Sequence, residues 1–427
     1  MQMNRFSVIF PAMYGFLVGR LLLVRLLLLA ATLALLAIGV IAIYAVGHPA
    51  EVSTASEAGF FANYWQKQLV FAGLATIAFI VINLISYRRL GEMSFRIYAV
   101  VLGLLALLLL GKLINIPFIP MINGTHRWIR VAIAGKQLPA IQPSELCKVA
   151  YVLALAWYLR YRSNYRSFKA LIGPFVLTLL PMLLIILEPD LGTVMLMMPV
   201  LFIMLFIAGA RVKHLLLIIL LAVLVSPLMW AVMRPYQRSR ISSVLLQSEV
   251  IQQKAQDHPK LARLLLGREF DRRHWTTAAG YHLIRSKYAI ASGGPTGRGF
   301  AKGPFIKYDF LPYRVNDFIF ATIAHQWGFI GSAAVIALYA IIILCGLEIA
   351  SSNTDPFGRL LAIGLTATLA VEVIVNISMT LGLMPITGLT LPLISYGGSS
   401  LLSCALMLGL LNNVGRARPF SVAPPKI

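Results

Sequence analysis

The stretch Leu311–Ala321 reads LPYRVNDFIFA and joins a long basic segment to a long hydrophobic one. Asp317 lies at this junction, directly before the apolar run Phe318–Phe320. A carboxylate at the edge of a membrane-spanning helix, beside a basic loop, can meet a substrate whose anionic head lies at the lipid surface. The alternative is structural, because Asp and Asn are preferred N-caps that satisfy unpaired N–H groups at the start of a helix. The stretch alone leaves both interpretations open.

The composition of the 427-residue chain is that of a membrane protein. Hydrophobic residues make up 59% of it and charged residues only 12%. These fractions exclude an ordinary soluble domain and predict many apolar segments of about 20 residues, each long enough to cross a bilayer. Lys and Arg total 37 against 15 Asp and Glu. Part of this excess follows from the basic bias of cytoplasmic loops, and the rest favours an anionic substrate or lipid, with no nucleic-acid partner expected.

Apolar run lengths and loop charges predict an all-α polytopic membrane protein with about ten transmembrane helices and both termini in the cytoplasm. We expect a single integral membrane domain over residues 1–427. Within it, residues 234–316 are expected to form a large extracytoplasmic loop between the seventh and eighth helices. The first helix is expected to be a retained anchor, because no cleavage pattern precedes it. The first, second, third, eighth and ninth helices are expected over about residues 21–46, 67–86, 96–115, 317–347 and 359–382, respectively.

Two segments expected outside the membrane are more basic than the charge rule favours. Segment Asn123–Ser144 carries Trp128 between basic residues and is expected to lie at the interface as an amphipathic segment. Residues 234–316 contain fifteen Lys and Arg against five Asp and Glu. Their middle part, about 244–274, is expected to be helical. The later part, Gly280–Gly299, is expected to pack on the helix bundle as a helix or a re-entrant segment.

Candidate site residues cluster at the expected outer ends of helices. Lys148 lies one turn inside the fourth helix and is a candidate phosphate ligand, or else forms an (i, i+3) ion pair with Glu145. Asp190 precedes the sixth helix and is either a site residue or its cap. Tyr396 and Trp128 fit the aromatic belt of a membrane interface. Charged ends of several helices on one face could surround a single cavity, and ionisable residues are costly in membranes unless they have a function.

The cysteines and histidines give no sign of a metal site. Cys147, Cys345 and Cys404 lie in apolar runs and are expected to be small buried hydrophobic residues. The seven histidines show no zinc-ligand spacing. We therefore predict no certain cofactor, although a divalent cation would be compatible with a phosphate-bearing substrate.

A series of motifs resembles the SEDS family (shape, elongation, division and sporulation) of RodA- and FtsW-like proteins. The matching stretches cover about residues 20–415 and are, in chain order, RWIRV, QPSELCKVA, EPDLGT, GYHLIRSKYAIASGG, LPYRVNDFIFA, GLMPITG and LPLISYGGSSLL. The resemblance implies a ten-helix, multi-pass peptidoglycan glycosyltransferase of the bacterial cytoplasmic membrane. It implies that lipid II is polymerised in cell elongation or division, usually beside a class B penicillin-binding transpeptidase. The family's essential aspartate matches Asp317, its QPSE…K motif matches Glu145 and Lys148, and its PDLGT turn contains Asp190.

The chain departs from the family pattern near these motifs. Tyr313 stands where the family usually has Glu, Asn316 where it has Thr, and Glu188 where it has Gln. Ala324-His325-Gln326 stands in place of Gly-Glu-Glu. These changes raise the question of what replaces the acidic neighbours of the aspartate, but they leave the aspartate itself in place.

With this resemblance, Asp317 is expected to be the general base that takes the proton from the acceptor sugar's 4-hydroxyl. The oxygen then attacks the donor's anomeric carbon with inversion and expels undecaprenyl pyrophosphate. The candidate clamps for the leaving group's charge are basic side chains: Arg127, Lys148, Arg238 and Arg240. Two other functions stay open at this point, a flippase for lipid-linked precursors and a non-catalytic scaffold for a transpeptidase.

Overall fold

The computed structural model describes residues 21–50, 61–114, 116–122, 125–130, 132–133, 136–137, 140–161, 167–233, 235–267, 269–277, 280–308 and 310–417. Both chain ends lie outside these ranges, so the cytoplasmic location of the termini stays a prediction. The described part is mainly helical. Its helices, in chain order, are α1 Leu22–Gly47, α2 Tyr64–Leu84, α3 Tyr87–Glu92, α4 Ser94–Leu113, α5 Pro143–Leu159, α6 Ile172–Leu187, α7 Leu191–Ile207, α8 Val212–Val232, α9 Pro235–Leu245, α10 Glu249–Asp257, α11 Pro259–Leu266, α12 Arg272–Thr277, α13 Tyr281–Gly293, α14 Pro304–Lys307, α15 Ile319–Ser351, α16 Pro356–Leu381 and α17 Gly398–Arg416.

Many of these helices are suited to a bilayer. In the described residues, seven helical segments are long and apolar enough to cross a membrane: α1, α2, Ser94–Lys112 of α4, Phe168–Leu187 including α6, α15, α16 and α17. Two shorter apolar helices cover Leu191–Ile207 and Val212–Leu228. The chain is therefore a helical multi-pass membrane protein, as its composition predicted.

The centre of the bundle is formed by α16 and α17. In each of them 72% of the most apolar window is buried inside the protein, against 22% in α2. Most side chains of α5 are also buried, including the charged Glu145 and Lys148. Polar residues on central helices can pair with one another across helix interfaces, where lipid cannot compete for them. The interior of this bundle is thus the place to look for charged groups.

Helix α15 starts at Ile319, two residues later than expected, and is broken inside. Gly328 has non-helical torsion angles, φ 63° and ψ −157°, a conformation that glycine adopts without a steric penalty. The turn after α13 provides hydrogen bonds across the break. The N–H of Phe329 donates to the carbonyl of Gly294 at 2.8 Å, and the N–H of Arg298 donates to the carbonyl of His325 at 2.9 Å. The break is therefore covered by protein, as irregular backbone at membrane depth requires.

The described residues between α4 and α5 form no helix, although the sequence predicted an amphipathic interfacial segment there. They contain a two-stranded antiparallel sheet of β1 (Ala132–Ile133) and β2 (Lys136–Gln137). Ile129 and Ile141 also pair in antiparallel fashion. Because β-branched residues recur along this stretch, extended backbone is favoured over a helix. The outcome is a short hairpin segment that leads directly into α5.

The basic segment between α8 and α15 folds into short helices, α9 to α14, and those over about 244–274 agree with the helical pattern predicted there. One group of its buried apolar side chains forms a small core of its own: Leu246, Ala255, Ala262, Leu266 and Trp275. Helix α13 packs against α15 and α16. The hydroxyl of Ser286 on α13 donates to the carbonyl of Thr380 on α16 at 2.8 Å. The prediction that this part packs on the bundle is confirmed, with a helix as the form it takes.

Candidate functional site

A cavity of about 740 Å³ lies among the helix ends on one side of the bundle. Its walls come from the first turns of α2, from the hairpin segment, from the N-terminal ends of α5, α7 and α17, and from the loop before α15. Each helix N-terminus carries partial positive charge and unpaired N–H groups. A cavity with several such ends in its wall is suited to an anionic ligand.

Asp317 lies in the wall of this cavity and is half-buried. Within the described part of the chain, its carboxylate accepts no hydrogen bond and forms no ion pair. Helix α15 has Phe318 as its N-cap and no side-chain cap hydrogen bond, so the interpretation of Asp317 as a cap is wrong. Burial raises the pKa of Asp317 to about 6, Arg240 opposes the rise and Asp190 adds to it. A carboxylate with this pKa can accept a proton near neutral pH.

The backbone around Asp317 is firmly held. The side-chain amide of Asn376, on α16, donates to the Asp317 carbonyl at 3.0 Å. The hydroxyl of Ser395 donates to the carbonyl of Asn316 at 2.7 Å. The main chain that carries the carboxylate is therefore held in place, while its two oxygens are left to the cavity. This is the arrangement that a positioned base requires.

Asp190 lies in the same cavity but is fully engaged. Its carboxylate accepts hydrogen bonds from the hydroxyls of Ser144 at 2.9 Å and Thr193 at 3.0 Å, from the Gln142 amide at 3.3 Å and from the Thr193 N–H at 3.4 Å. Asp190 is the N-cap of α7, so the structural alternative for this residue is confirmed. The same contacts join the start of α7 to the start of α5.

Lys148 is enclosed between two carboxylates. Its Nζ lies 2.6 Å from Glu145 and also forms an ion pair with Glu372 on α16. The (i, i+3) pair offered as an alternative is therefore present. The side chain of Lys148 is 1% exposed and does not line the cavity, whereas Glu145 does. Glu372 was missed in the sequence, although a carboxylate inside an apolar run is itself a signal.

The predicted arginines occupy three different environments. Arg127 lines the cavity, and its guanidinium donates to the carbonyl of Glu188 at 2.7 Å and to the next carbonyl in that turn. Arg238 donates to two carbonyls near the end of α8, at 2.8 and 3.1 Å, and is not part of the cavity wall. Arg240 is exposed, and its charge acts on Asp317. Only Arg127 of the three is brought into the wall.

Glu188 is one of the departures from the family pattern, and its surroundings explain it. It is buried, and its Oε1 has no hydrogen-bond partner within the described residues. Burial and the neighbouring Asp190 raise the pKa of Glu188 to about 8, although Arg127 opposes this. The carboxyl is therefore mostly protonated at pH 7 and presents an uncharged polar group, like the Gln that the family carries there.

Two further cations in the cavity wall were not among the predicted site residues, Lys67 and Arg130. Lys67 lies in the first turn of α2, with its Nζ 5.5 Å from the centre of the Tyr64 ring. With Arg127, the cavity thus has basic side chains on α2 and on the hairpin segment, while Asp317 comes from the loop before α15. Among the residues that the structure describes, no group of three or more His, Cys, Asp or Glu could hold a metal ion.

The fold and the site together define a multi-pass membrane protein with a charged cavity where helix ends converge. A family model described as "cell cycle protein", covering FtsW, RodA and SpoVE, matches residues 25–419. The chain belongs to this family, which confirms the resemblance seen in its motifs.

Named relatives are similar to the chain over most of its length. Peptidoglycan glycosyltransferase RodA of Treponema pallidum is 32% identical, over 91% of this chain and 96% of the relative. Stage V sporulation protein E of Bacillus subtilis is 33% identical, over 92% of this chain and 96% of the relative. A chain from a solved peptidoglycan synthase complex, described as coordinating polymerization and crosslinking, is similar with a TM-score of 0.69 and 29% identity, over 91% of this chain and 96% of that one. The crystal structure of RodA from Thermus thermophilus is similar with a TM-score of 0.58 and 27% identity, over 91% of this chain and 95% of that one.

Proposed function

We propose that the chain polymerises lipid II into glycan strands at the outer face of the bacterial cytoplasmic membrane. It is a peptidoglycan glycosyltransferase, the activity for which its RodA, MrdB and FtsW relatives are named. The observation that carries the mechanism is Asp317. Its carboxylate faces a cavity whose wall includes basic side chains, has no hydrogen-bond partner among the described residues, and has a pKa near 6.

Asp317 acts as the general base. It takes the proton of the acceptor sugar's 4-hydroxyl as the oxygen attacks the donor's anomeric carbon. The new carbon–oxygen bond forms while the bond to the diphosphate breaks, and the lipid diphosphate leaves as an anion. A single displacement on an α-linked donor gives a β-1,4 link, so the configuration inverts. Arg127, Lys67 and Arg130, with the surrounding helix N-termini, neutralise the charge of the leaving group.

The remaining predicted site residues support this centre. Asp190 and Glu145 line the cavity, where they can contact the substrate's polar groups. Lys148 and Arg238 contact protein groups, and we assign them to positioning neighbouring elements. Arg240 contributes through its charge, which favours the ionised form of Asp317. A divalent cation beside the diphosphate is compatible with this arrangement but is not required by it.

We propose ten transmembrane helices, made of α5 and the nine segments described above. In this count α2, α5, α7, α15 and α17 are the even-numbered helices. Their N-terminal ends, or the loop just before them, all contribute to the one cavity. Even-numbered helices of a continuous membrane chain must all start on the same side, so the cavity fits the count. If that side is extracytoplasmic, residues 234–316 lie outside and both termini lie in the cytoplasm.

The test is polymerisation of lipid II by the purified protein, analysed by the length of the glycan strands. Asp317→Asn is expected to reduce the rate by about 10²–10⁴-fold. Asp355→Asn is the matched control, because Asp355 caps α16 away from the cavity and its loss leaves the base in place. Normal strands from folded Asp317→Asn would exclude the base role. A flippase would move lipid II across the membrane without forming polymer. A scaffold would form no polymer but would still bind its transpeptidase partner.

We further propose that a class B penicillin-binding transpeptidase is the partner. The related chain comes from a complex in which polymerisation and crosslinking are coordinated, and a polymerase whose product must be crosslinked benefits from such proximity. Co-purification with the transpeptidase encoded in the same genome, and faster polymerisation in its presence, would support this. Equal rates with and without a bound partner would argue against a functional complex.

A further inference from the structure

Tyr396 forms an aromatic surface in the cavity wall. It is half-buried, and its ring stacks on that of Tyr64 with centroids 4.6 Å apart and an interplanar angle of 23°. Phe71, which also lines the cavity, lies beside it with ring centroids 5.9 Å apart. Because Tyr64, which is not part of the cavity wall, covers part of the Tyr396 ring, the part of Tyr396 that borders the cavity is left to whatever enters there.

The turn that carries Tyr396 is bonded to the segment that carries the base. The N–H of Tyr396 donates to the carbonyl of Val315 at 2.9 Å, and the neighbouring Ser395 hydroxyl donates to the carbonyl of Asn316. These two carbonyls belong to the two residues directly before Asp317. The backbone that carries the ring is therefore joined directly to the backbone that carries the carboxylate.

A membrane-belt role, the alternative raised by the sequence, does not explain this placement. Belt residues present their rings to lipid and their polar tips to the headgroups, whereas Tyr396 borders the cavity among the helix ends. Its hydroxyl has no hydrogen-bond partner within the described part of the chain and is not enclosed by protein. Tyr44, in contrast, stacks on His48 and lies near Trp65 outside the cavity.

We infer that Tyr396 is the platform on which the hexosamine ring of the acceptor stacks, so that its reacting hydroxyl faces Asp317. The inference rests on the proposed polymerase function. A pyranose with equatorial substituents presents C–H bonds on its faces, and these carry partial positive charge. The face of an aromatic ring is negative, so the two surfaces attract each other as they exclude water. The sugar bearing the hydroxyl must lie beside the base, and Tyr396 is the aromatic residue bonded through its backbone to that segment.

The experiment separates the two sugars of the reaction. The donor is a lipid II analogue with a blocked 4-hydroxyl, which cannot accept. The acceptor is an analogue with a free 4-hydroxyl and a non-leaving group in place of the diphosphate. Initial rates with each varied in turn give two KM values. The variants are Tyr396→Leu, Tyr396→Phe and Tyr396→Trp, with Tyr44→Leu as the control that removes a ring outside the cavity.

For Tyr396→Leu we expect the acceptor KM to rise about tenfold, which corresponds to about 1.4 kcal/mol, with the donor KM unchanged. The Phe and Trp variants should restore most of the affinity, and Tyr44→Leu should behave like the wild type. An acceptor KM within twofold of wild type in Tyr396→Leu would overturn the inference. An equal rise of both KM values, together with a lower Tm, would also overturn it, since that is the result of a structural role. If the wild-type protein forms no product at all, the proposed function fails, and this inference fails with it.

Discussion

Replacement of Asp317 by asparagine is expected to change activity and stability in opposite directions. The carboxylate is needed as a base, so polymerisation should fall by about 10²–10⁴-fold. The same carboxylate is partly desolvated and has no hydrogen-bond donor among the described residues, so its charge is a cost to the folded state. Asparagine has nearly the same shape and no charge. The variant should therefore be less active and more stable.

The size of the effect follows from the pKa of Asp317. Its pKa is raised from an ordinary value of 3.8 to about 6, a difference that corresponds to about 3 kcal/mol of stability lost on ionisation. This is an upper value, because the carboxylate faces a cavity that water can enter. Even half of it is large beside the total stability of a typical domain, about 5–15 kcal/mol.

The pH dependence gives the prediction its sign. The folded state holds the proton more tightly than the unfolded state, so the contribution of Asp317 to stability falls as the pH rises from about 4 to about 6. At lower pH both states are protonated, and the variant should gain little. Above pH 6 the wild-type group is ionised in the folded state, and the variant should gain the full amount. The stability difference between the two proteins should therefore increase with pH and then level off.

The assay is thermal unfolding in detergent at about pH 5 and about pH 8, with polymerisation measured on the same samples. Asp190→Asn is the matched control, because this cavity carboxylate accepts hydrogen bonds from three residues. Its loss should lower the stability by about 1–3 kcal/mol. If Asp317→Asn lowers the Tm at both pH values, as Asp190→Asn should, Asp317 has a structural role and the reasoning about its free carboxylate is refuted.

Three further changes test other parts of the site. Lys148→Met leaves two buried carboxylates without their counterion and should destabilise the protein by about 3–5 kcal/mol; an unchanged Tm would contradict the enclosed ion cluster. Arg240→Gln removes the charge that lowers the pKa of Asp317, so the acidic limb of the pH–rate profile should move to higher pH, and an unmoved limb would show that Arg240 does not act on the base. Gly293→Ala adds a methyl group that would collide with the carbonyl of Ala324; it should cost about 1–3 kcal/mol in thermal unfolding, and a neutral result would mean that α13 does not approach α15 so closely.

The bilayer explains why most of the helices could be predicted. Apolar run length alone gives the first helix as about 21–46, and the structure has Leu22–Gly47. The ninth transmembrane helix is expected over about residues 359–382, and in the structure it is α16, Pro356–Leu381. Spanning segments must satisfy their own backbone and match the hydrocarbon thickness, so local sequence decides them. No comparable local constraint acts on the segment between α4 and α5, and there the amphipathic prediction missed the hairpin.

The break in α15 could not be predicted for a different reason. Gly328 lies in an otherwise continuous apolar run, where glycine is common and usually helical. What allows the break is the turn after α13, which supplies hydrogen bonds to the freed backbone groups. That turn is about thirty residues away in sequence. The pairing of Lys148 with Glu372, across 224 residues, escaped prediction in the same way.

The carboxylates at the cavity show how tertiary partners separate residues that look alike in sequence. Asp190 and Asp317 both precede an apolar helix, and cap preference applies equally to both. In the structure, donors on α5 and α7 contact both oxygens of Asp190, whereas Lys148 and Ser403 both contact Oε2 of Glu145. Both carboxylates therefore help to hold neighbouring helices together. Of these three, only Asp317 has no protein donor on either oxygen within the described residues, and burial increases its affinity for a proton. A sugar hydroxyl that enters the cavity therefore meets two carboxylates that protein donors already contact and one that no protein donor contacts within the described residues, which is why the base is assigned to Asp317 and not to its neighbours.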